Sequence, residues 1–280
     1  MNALTYFWRR GYGRTLIGTL FVLAYLFPVY WMVATSLKTR GAIFATPPQV
    51  VPTPVVFSAY ITAVINNPLA IRAIVNSAII SIGTMALTLV LAAPAAYALA
   101  RLNLRGGALM ALLLLITQLL PAIVIATPLF VLFSRIGLLN SYPALILADT
   151  TLTLPFAVII LRPFFLTVPS ELEAAAKIDG CTQWSVFWRV VLPLVRPGLI
   201  TVGVFAFLFA WGEFLFALSL NTNENVQPVT VALNKFIGQY GTQWEKLMAV
   251  ATTIALPIIV VFAGLQRYIV SGLVAGSVKE

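Results

Sequence analysis

PSELEAAAKIDGCTQWSVFWRVVLPLVRP, residues 169–197, is amphipathic in a chain that is otherwise mostly apolar. Ser170 with Glu173 three residues later predicts a helix start closed by a capping box, in which hydroxyl and carboxylate satisfy opposite ends of the first turn. Leu172, Ala175 and Ala176 then share a shallow apolar face, and Glu173 and Lys177 are spaced to pair across one turn on the other side. Asp179 and Gly180 predict the stop, because glycine accepts the left-handed conformation that ends many helices. A second helical run carries Trp184, Phe187, Trp188, Val191 and Leu192 on one stripe until Pro193 interrupts it. The expectation is a helix-turn-helix hook able to meet a water-soluble partner. The plainer reading is an amphipathic linker lying on a membrane surface.

Around that hook, 61% of the 280 residues are hydrophobic and 9% charged, with a mean hydropathy of +1.00. Those values exclude a soluble domain and predict an integral membrane protein. Six apolar stretches exceed the length of about 18 residues that marks a candidate span: 15–37, 74–100, 108–133, 142–165, 199–220 and 247–269. The first is too long for a signal-peptide core and has no small-residue cleavage site after it, so it reads as a retained anchor. Pro28, Pro94, Pro121, Pro128, Pro155 and Pro257 fall inside these stretches and predict kinks where neighbours satisfy the freed carbonyls.

Arg9, Arg10, Arg14, Arg101, Arg105, Arg162, Lys177, Arg189, Arg196, Arg267 and Lys279 fall on one side of this arrangement. Lys38, Arg40, Arg72, Arg135, Lys235 and Lys246 fall on the other. The positive-inside bias therefore puts both termini and the hook in the cytoplasm, and segments 39–73 and 221–246 outside. The net charge of +9 follows mostly from this bias, and no basic stripe with interleaved aromatics suggests nucleic acid. With no histidine and Cys181 the sole cysteine, the chain lacks Cys/His zinc sites, intrachain disulfides and Ser-His or Cys-His catalytic pairs. A phosphate loop for ATP is also missing from the sequence.

The hook, set between the fourth and fifth spans, resembles the E-A-A-x-x-x-G-x9-I-x-L-P signature of permease subunits of bacterial ABC importers. Gly180 and the Val190-Val191-Leu192-Pro193 run fit its second half, and Ala175 and Ala176 fall on its two alanines. That register leaves Ala174 at the signature glutamate, with Glu173 one residue early. Either Glu173 substitutes from the adjacent turn, or the salt bridge ascribed to that position is absent. Ala95-Ala96-Tyr97-Ala98-Leu99-Ala100-Arg101, the run Trp211-Gly212-Glu213-Phe214-Leu215-Phe216-Ala217-Leu218, and the tail from Gly272 to Glu280 narrow the resemblance to the carbohydrate branch. Within that branch they resemble the second permease subunit of maltose-type importers.

The resemblance implies an all-α membrane protein with six transmembrane helices, the type I ABC importer permease fold and a cytoplasmic coupling helix. It would form a single domain over 1–280 with a core at about 72–271. It implies a bacterial inner-membrane location and, as partners, a second permease, two ATP-binding subunits or domains that hold ATP and Mg, and an extracytoplasmic solute-binding protein. This chain would hold no cofactor or metal, would not be an enzyme, and would move a sugar or related solute by alternating access. Leu172, Ala175, Ala176, Asp179 and Gly180 would form the coupling surface, with Glu171 and Glu173 at its charged rim and Gly276, Ser277 and Lys279 as a second contact. Asp149 and Glu213, costly inside spans, and Trp211 are candidate pathway residues. The two acids either line a hydrophilic cavity, pair with the partner subunit or satisfy backbone near kinks. Phe205, Phe207, Phe209, Phe214 and Phe216 read as helix packing before sugar stacking. The rival class is a proton-coupled secondary transporter using Asp149 and Glu213, which the lack of a clear inverted repeat disfavours.

Overall fold

The computed structural model describes residues 12–238 and 241–275. Helices dominate it, and they fall into two compact units. One comprises residues up to Ala70 with Leu233–Ala255; the other comprises Ile71–Ala232 with the residues from Leu256 onward.

In the first unit, α1 (Tyr12–Ser36) is 25 residues long, enough to cross a bilayer, and Pro28 lies within it. The chain after it is strapped back by polar contacts. The Lys38 ammonium sits 4.3 Å from the Trp31 ring centroid and donates to the Gln49 carbonyl at 2.5 Å. The Tyr30 hydroxyl donates to the Val50 carbonyl at 2.8 Å. Around the proline-rich 45–54 segment there is no regular structure, and the short helix expected near Phe57–Ile65 forms as Ser58–Tyr60 running into a π-turn at Ile61–Ile65.

The second unit is built on α2 (Pro68–Arg101), whose 34 residues rise about 50 Å, well beyond a hydrocarbon core of about 30 Å. Its last turns therefore clear the apolar layer. The stretch expected as one span at 108–133 is instead two helices, α3 (Gly107–Thr117) and α4 (Ala122–Arg135), bent by 97°. Pro121 supplies no N–H where the helix would continue, so the chain turns through short bonds from Gln118, Leu119 and Leu120 to carbonyls three residues back. α5 (Tyr142–Leu166) is continuous.

The hook follows as α6 (Ser170–Ile178) and α7 (Gln183–Leu194), then a 79° bend leads into α8 (Arg196–Gly212). Among the described residues, four helices are long and apolar enough to span on their own, and up to six spans result if each bent pair counts as one. The fifth stretch stops earlier than its composition suggests: α8 ends at Gly212 and the short α9 (Leu215–Leu220) follows. The predicted loop at 221–246 also carries α10 (Val229–Asn234) and a minimal antiparallel hairpin, Ile237–Gly238 with Gly241–Thr242, before α11 (Trp244–Ala275) begins.

Two apolar cores fill the second unit. One joins the end of α2 (Ala92, Ala96, Tyr97), the end of α5 (Leu161, Phe165) and the hook (Val186, Phe187, Val191). The other gathers Ile80, Phe133, Leu145, Phe216 and Leu220. Small and hydroxylated residues let helices approach closely: Thr88 and Thr153 share a hydrogen bond at 2.7 Å. At Gly198 a Cβ would lie 2.6 Å from the Phe164 ring, so only glycine fits that crossing.

Candidate functional site

The hook is held against the end of α2 by a buried polar clamp. Tyr97 and Arg101 are one turn apart at the C-terminal end of α2 and so share a face. The Tyr97 hydroxyl donates to Glu173 Oε2 at 2.7 Å, and Arg101 Nε lies 3.1 Å from Glu173 Oε1 as an ion pair without hydrogen-bond alignment. The other end of the guanidinium donates to the Val168 carbonyl, just ahead of the hook. From α7, the Gln183 amide donates to the Tyr97 hydroxyl. Around these polar groups, Tyr97 packs edge-on to Phe165 at 5.7 Å and tilted on Phe187 at 5.1 Å. One carboxylate thus joins α2 to α6, and Tyr97 with Gln183 extends the link to α7.

Several expectations for the hook are corrected by this geometry. The capping box does not form: Pro169 is the N-cap with no side-chain bond, and the Ser170 hydroxyl turns to the Glu171 carboxylate. Glu173 is unavailable for it because Tyr97 and Arg101 hold its carboxylate; for the same reason Glu173 is no rim residue and makes no ion pair with Lys177 among the described residues. It is 8% exposed. Ala176, three residues on and on the same inward face, packs in the core and is removed from the candidate coupling surface.

Leu172, Ala175, Asp179 and Glu171 face outward. Ile178, absent from the expected coupling surface, is 86% exposed and is the most prominent apolar side chain there. Gly180 adopts φ +83 and ends the helix as expected. Gly276, Ser277 and Lys279 lie outside the described residues.

The aromatic stripe of α7 is also split. A π-turn at Phe187–Val191 adds a residue to the turn, so Phe187 and Val191 face the core while Trp184 and Trp188 remain exposed. That wider turn precedes Pro193, whose ring would collide with the carbonyl four residues back in a regular helix. The helix consequently continues to Leu194 before it bends.

Asp149 and Glu213 do come together. Both border a gap with Ile80, Leu145, Ala210, Ala217 and Pro228 that is too narrow to admit a water molecule. Asp149 is 2% exposed, and its Oδ1 has no hydrogen-bond partner among the described residues. The Glu213 carboxylate accepts from the Phe216 and Ala217 amides at 2.8 and 3.0 Å, capping α9. Thr230 donates to the Glu213 carbonyl at 2.7 Å. Glu213 is thus a structural cap at the break between α8 and α9. Trp211 is buried and stacked on Phe207 at 5.6 Å. Among the described residues, no group of three or more His, Cys, Asp or Glu side chains could hold a metal ion.

A clamped hook between α5 and α8, in a chain whose long apolar helices can cross a membrane, fits an ABC importer permease. The chain of a bacterial ABC transporter that imports the acidic polysaccharide alginate superposes with a TM-score of 0.79 at 22% identity, covering 94% of this chain and 97% of that one. The family model described as binding-protein-dependent transport system inner membrane component matches residues 89–274. The chain belongs to that family, and is a multi-pass inner-membrane permease rather than an ATPase. Its relatives include the trehalose transport system permease protein SugB of Mycobacterium tuberculosis, 37% identical over 97% of this chain and 98% of that protein. The sulfoquinovosyl glycerol transport system permease protein SmoH of Agrobacterium fabrum is 37% identical over 91% of this chain and 89% of that protein.

Proposed function

We propose that this chain is the membrane subunit of an ATP-driven importer that carries a sugar or related solute inward by alternating access. Its partners are a second permease, two ATP-binding subunits or domains that bind ATP and Mg, and an extracytoplasmic solute-binding protein. Both termini and the hook lie in the cytoplasm, as the distribution of basic residues favours. Relatives named for trehalose and sulfoquinovosyl glycerol transport support a carbohydrate cargo.

The observation that carries the reading is the clamp on Glu173 beneath an outward surface of Leu172, Ala175, Ile178, Asp179 and Gly180. A lever needs one face fastened and the other free. Motion of a docked ATPase against the free face would pass through Glu173 to α2 and through Gln183 and Phe187 into α7 and α8. Each ligand-bound state must then be favoured differentially for the cycle to run. Glu171, exposed beside this surface, adds a rim contact worth little by itself. Gly276, Ser277 and Lys279 remain a proposed second contact.

Proteoliposomes holding the assembled complex test the proposal. ATP-dependent uptake of trehalose, insensitive to a protonophore, is expected. Uptake abolished by the protonophore and indifferent to ATP would instead favour a proton-coupled carrier.

A further inference from the structure

α2 and α5 are tied side by side at two levels: the Tyr142 hydroxyl donates to Asn76 Oδ1 at 2.7 Å, and Thr88 and Thr153 share a hydrogen bond at 2.7 Å. From one tie to the next both helices advance by nearly the same number of residues, so they run parallel and stay in step. Thr84 lies one turn before Thr88, and Asp149 one turn before Thr153, which sets the two at the same level, with Ser81 on the face of Thr84. All three are buried, and Ser81 Oγ, Thr84 Oγ1 and Asp149 Oδ1 have no hydrogen-bond partner among the described residues. The ties thus bracket three unanswered polar groups, and Asp149 borders the gap that admits no water.

A buried carboxylate needs a cation, N–H donors or water. The cations of the surrounding helices, Arg72, Arg101, Arg135, Arg162 and Arg196, lie at or near helix ends, and Arg72 is turned to Asn225. Bordering the gap, Glu213 is the only other ionisable group, and it is also an acid. The Phe216 and Ala217 amides hold its charge. Two like charges do not both persist against one dry gap, so Asp149 is the member that keeps its proton.

Widening the gap reverses that balance. Water entering there meets Ser81, Thr84 and Asp149 together, enough polar partners to hold it, and a hydrated carboxyl ionises at ordinary pH. We propose that Asp149 is a proton site tied to the transport cycle, loaded while the gap is dry and empty once alternating access wets it. On wetting, the carboxyl O–H bond breaks and the proton passes to water; on drying, the carboxylate takes a proton back. Pro228, in the segment assigned to the outside, forms part of the wall, so both transfers are with the outer solution and no proton crosses the membrane. The proposal rests on the importer reading above for its two states and for that sidedness. Above about pH 4, where the wet form is ionised, each unit fall in outside pH favours the dry state by up to about tenfold.

The test uses the complete importer in nanodiscs, nucleotide-free and loaded with a non-hydrolysable ATP analogue. At neutral pH one of these two states should show the infrared carbonyl stretch of a neutral carboxylic acid that the other lacks, and Asp149→Asn should abolish the difference. In weakly buffered medium, adding the analogue should move about one proton more in the native complex than in Asp149→Asn. Asp149→Ala, which also removes the carboxyl, takes its place if the asparagine variant does not assemble. Either measurement returning no Asp149-dependent difference between the states overturns the proposal; ATP-driven trehalose uptake by the same preparation in proteoliposomes would leave the importer reading standing. Uptake abolished by a protonophore means that the proton crosses the membrane, and it overturns both.

Discussion

Replacing Arg101 by leucine should release the hook from α2. In the native chain the Arg101 and Glu173 side chains are 16% and 10% exposed, so the pair is largely out of water. Removing one partner of a buried pair leaves the other charge uncompensated, at a cost of about 3–5 kcal/mol. Because the Tyr97 hydroxyl still reaches Glu173, the lower figure applies. About 3 kcal/mol corresponds to roughly a hundredfold rise in the population of the undocked hook.

Amide exchange across Ser170–Ile178 in the assembled complex should speed up by a similar factor, with exchange in the middle of α5 unchanged. Transport per ATP hydrolysed should fall with it, since motion of the outward surface would no longer reach α2. Glu173→Gln keeps an acceptor for Tyr97 and should lose less. The double change Arg101→Glu with Glu173→Arg should recover part of the protection if charge pairing is what holds the helix. Unchanged exchange at 170–178 in Arg101→Leu would refute the clamp, whatever its effect on transport.

Gly180→Val forces a β-branched residue into a φ of +83, costing about 1–2 kcal/mol. Gly180→Asn, which tolerates that conformation, should retain transport per ATP where the valine variant loses it. Gly198→Ala places a methyl 2.6 Å from the Phe164 ring and should destabilise by about 1–3 kcal/mol, read as a lower thermal midpoint of the detergent-solubilised complex; an unchanged midpoint would mean the crossing relaxes freely. Glu213→Ala removes the cap of α9 and should cost about 1 kcal/mol while uptake remains protonophore-insensitive. A complete loss of uptake without loss of folded protein would instead return Glu213 to the transport route.

What was legible in the sequence was whatever depends on local chemistry or on the chain-wide apolar pattern. The hook, its glycine stop and the six apolar stretches all belong to that class, because capping, turn formation and burial are decided over a few residues or by composition. Glu173 shows where that kind of reading ends. Its spacing from Ser170 fits a capping box, and its spacing from Lys177 fits a helix-surface pair, yet both are weak solvent-exposed interactions. A half-buried arginine and a buried tyrosine, 72 and 76 positions away in the chain, offer stronger partners.

The sequence sets Tyr97 and Arg101 one helical turn apart, but nothing local to α2 says which carboxylate they meet. The same limit explains the split stripe of α7: periodicity assumes 3.6 residues per turn, and one π-turn before Pro193 breaks the assumption. The displaced signature glutamate is thereby accounted for. With the carboxylate at 173 rather than 174, the side chain rotates about 100° around the helix, from the exposed side toward α2. The charge then fastens the hook inside this chain, and the proposed docking surface is left to Leu172, Ala175 and Ile178. Docking through these apolar and small side chains should consequently be far less salt-sensitive than docking through an exposed carboxylate.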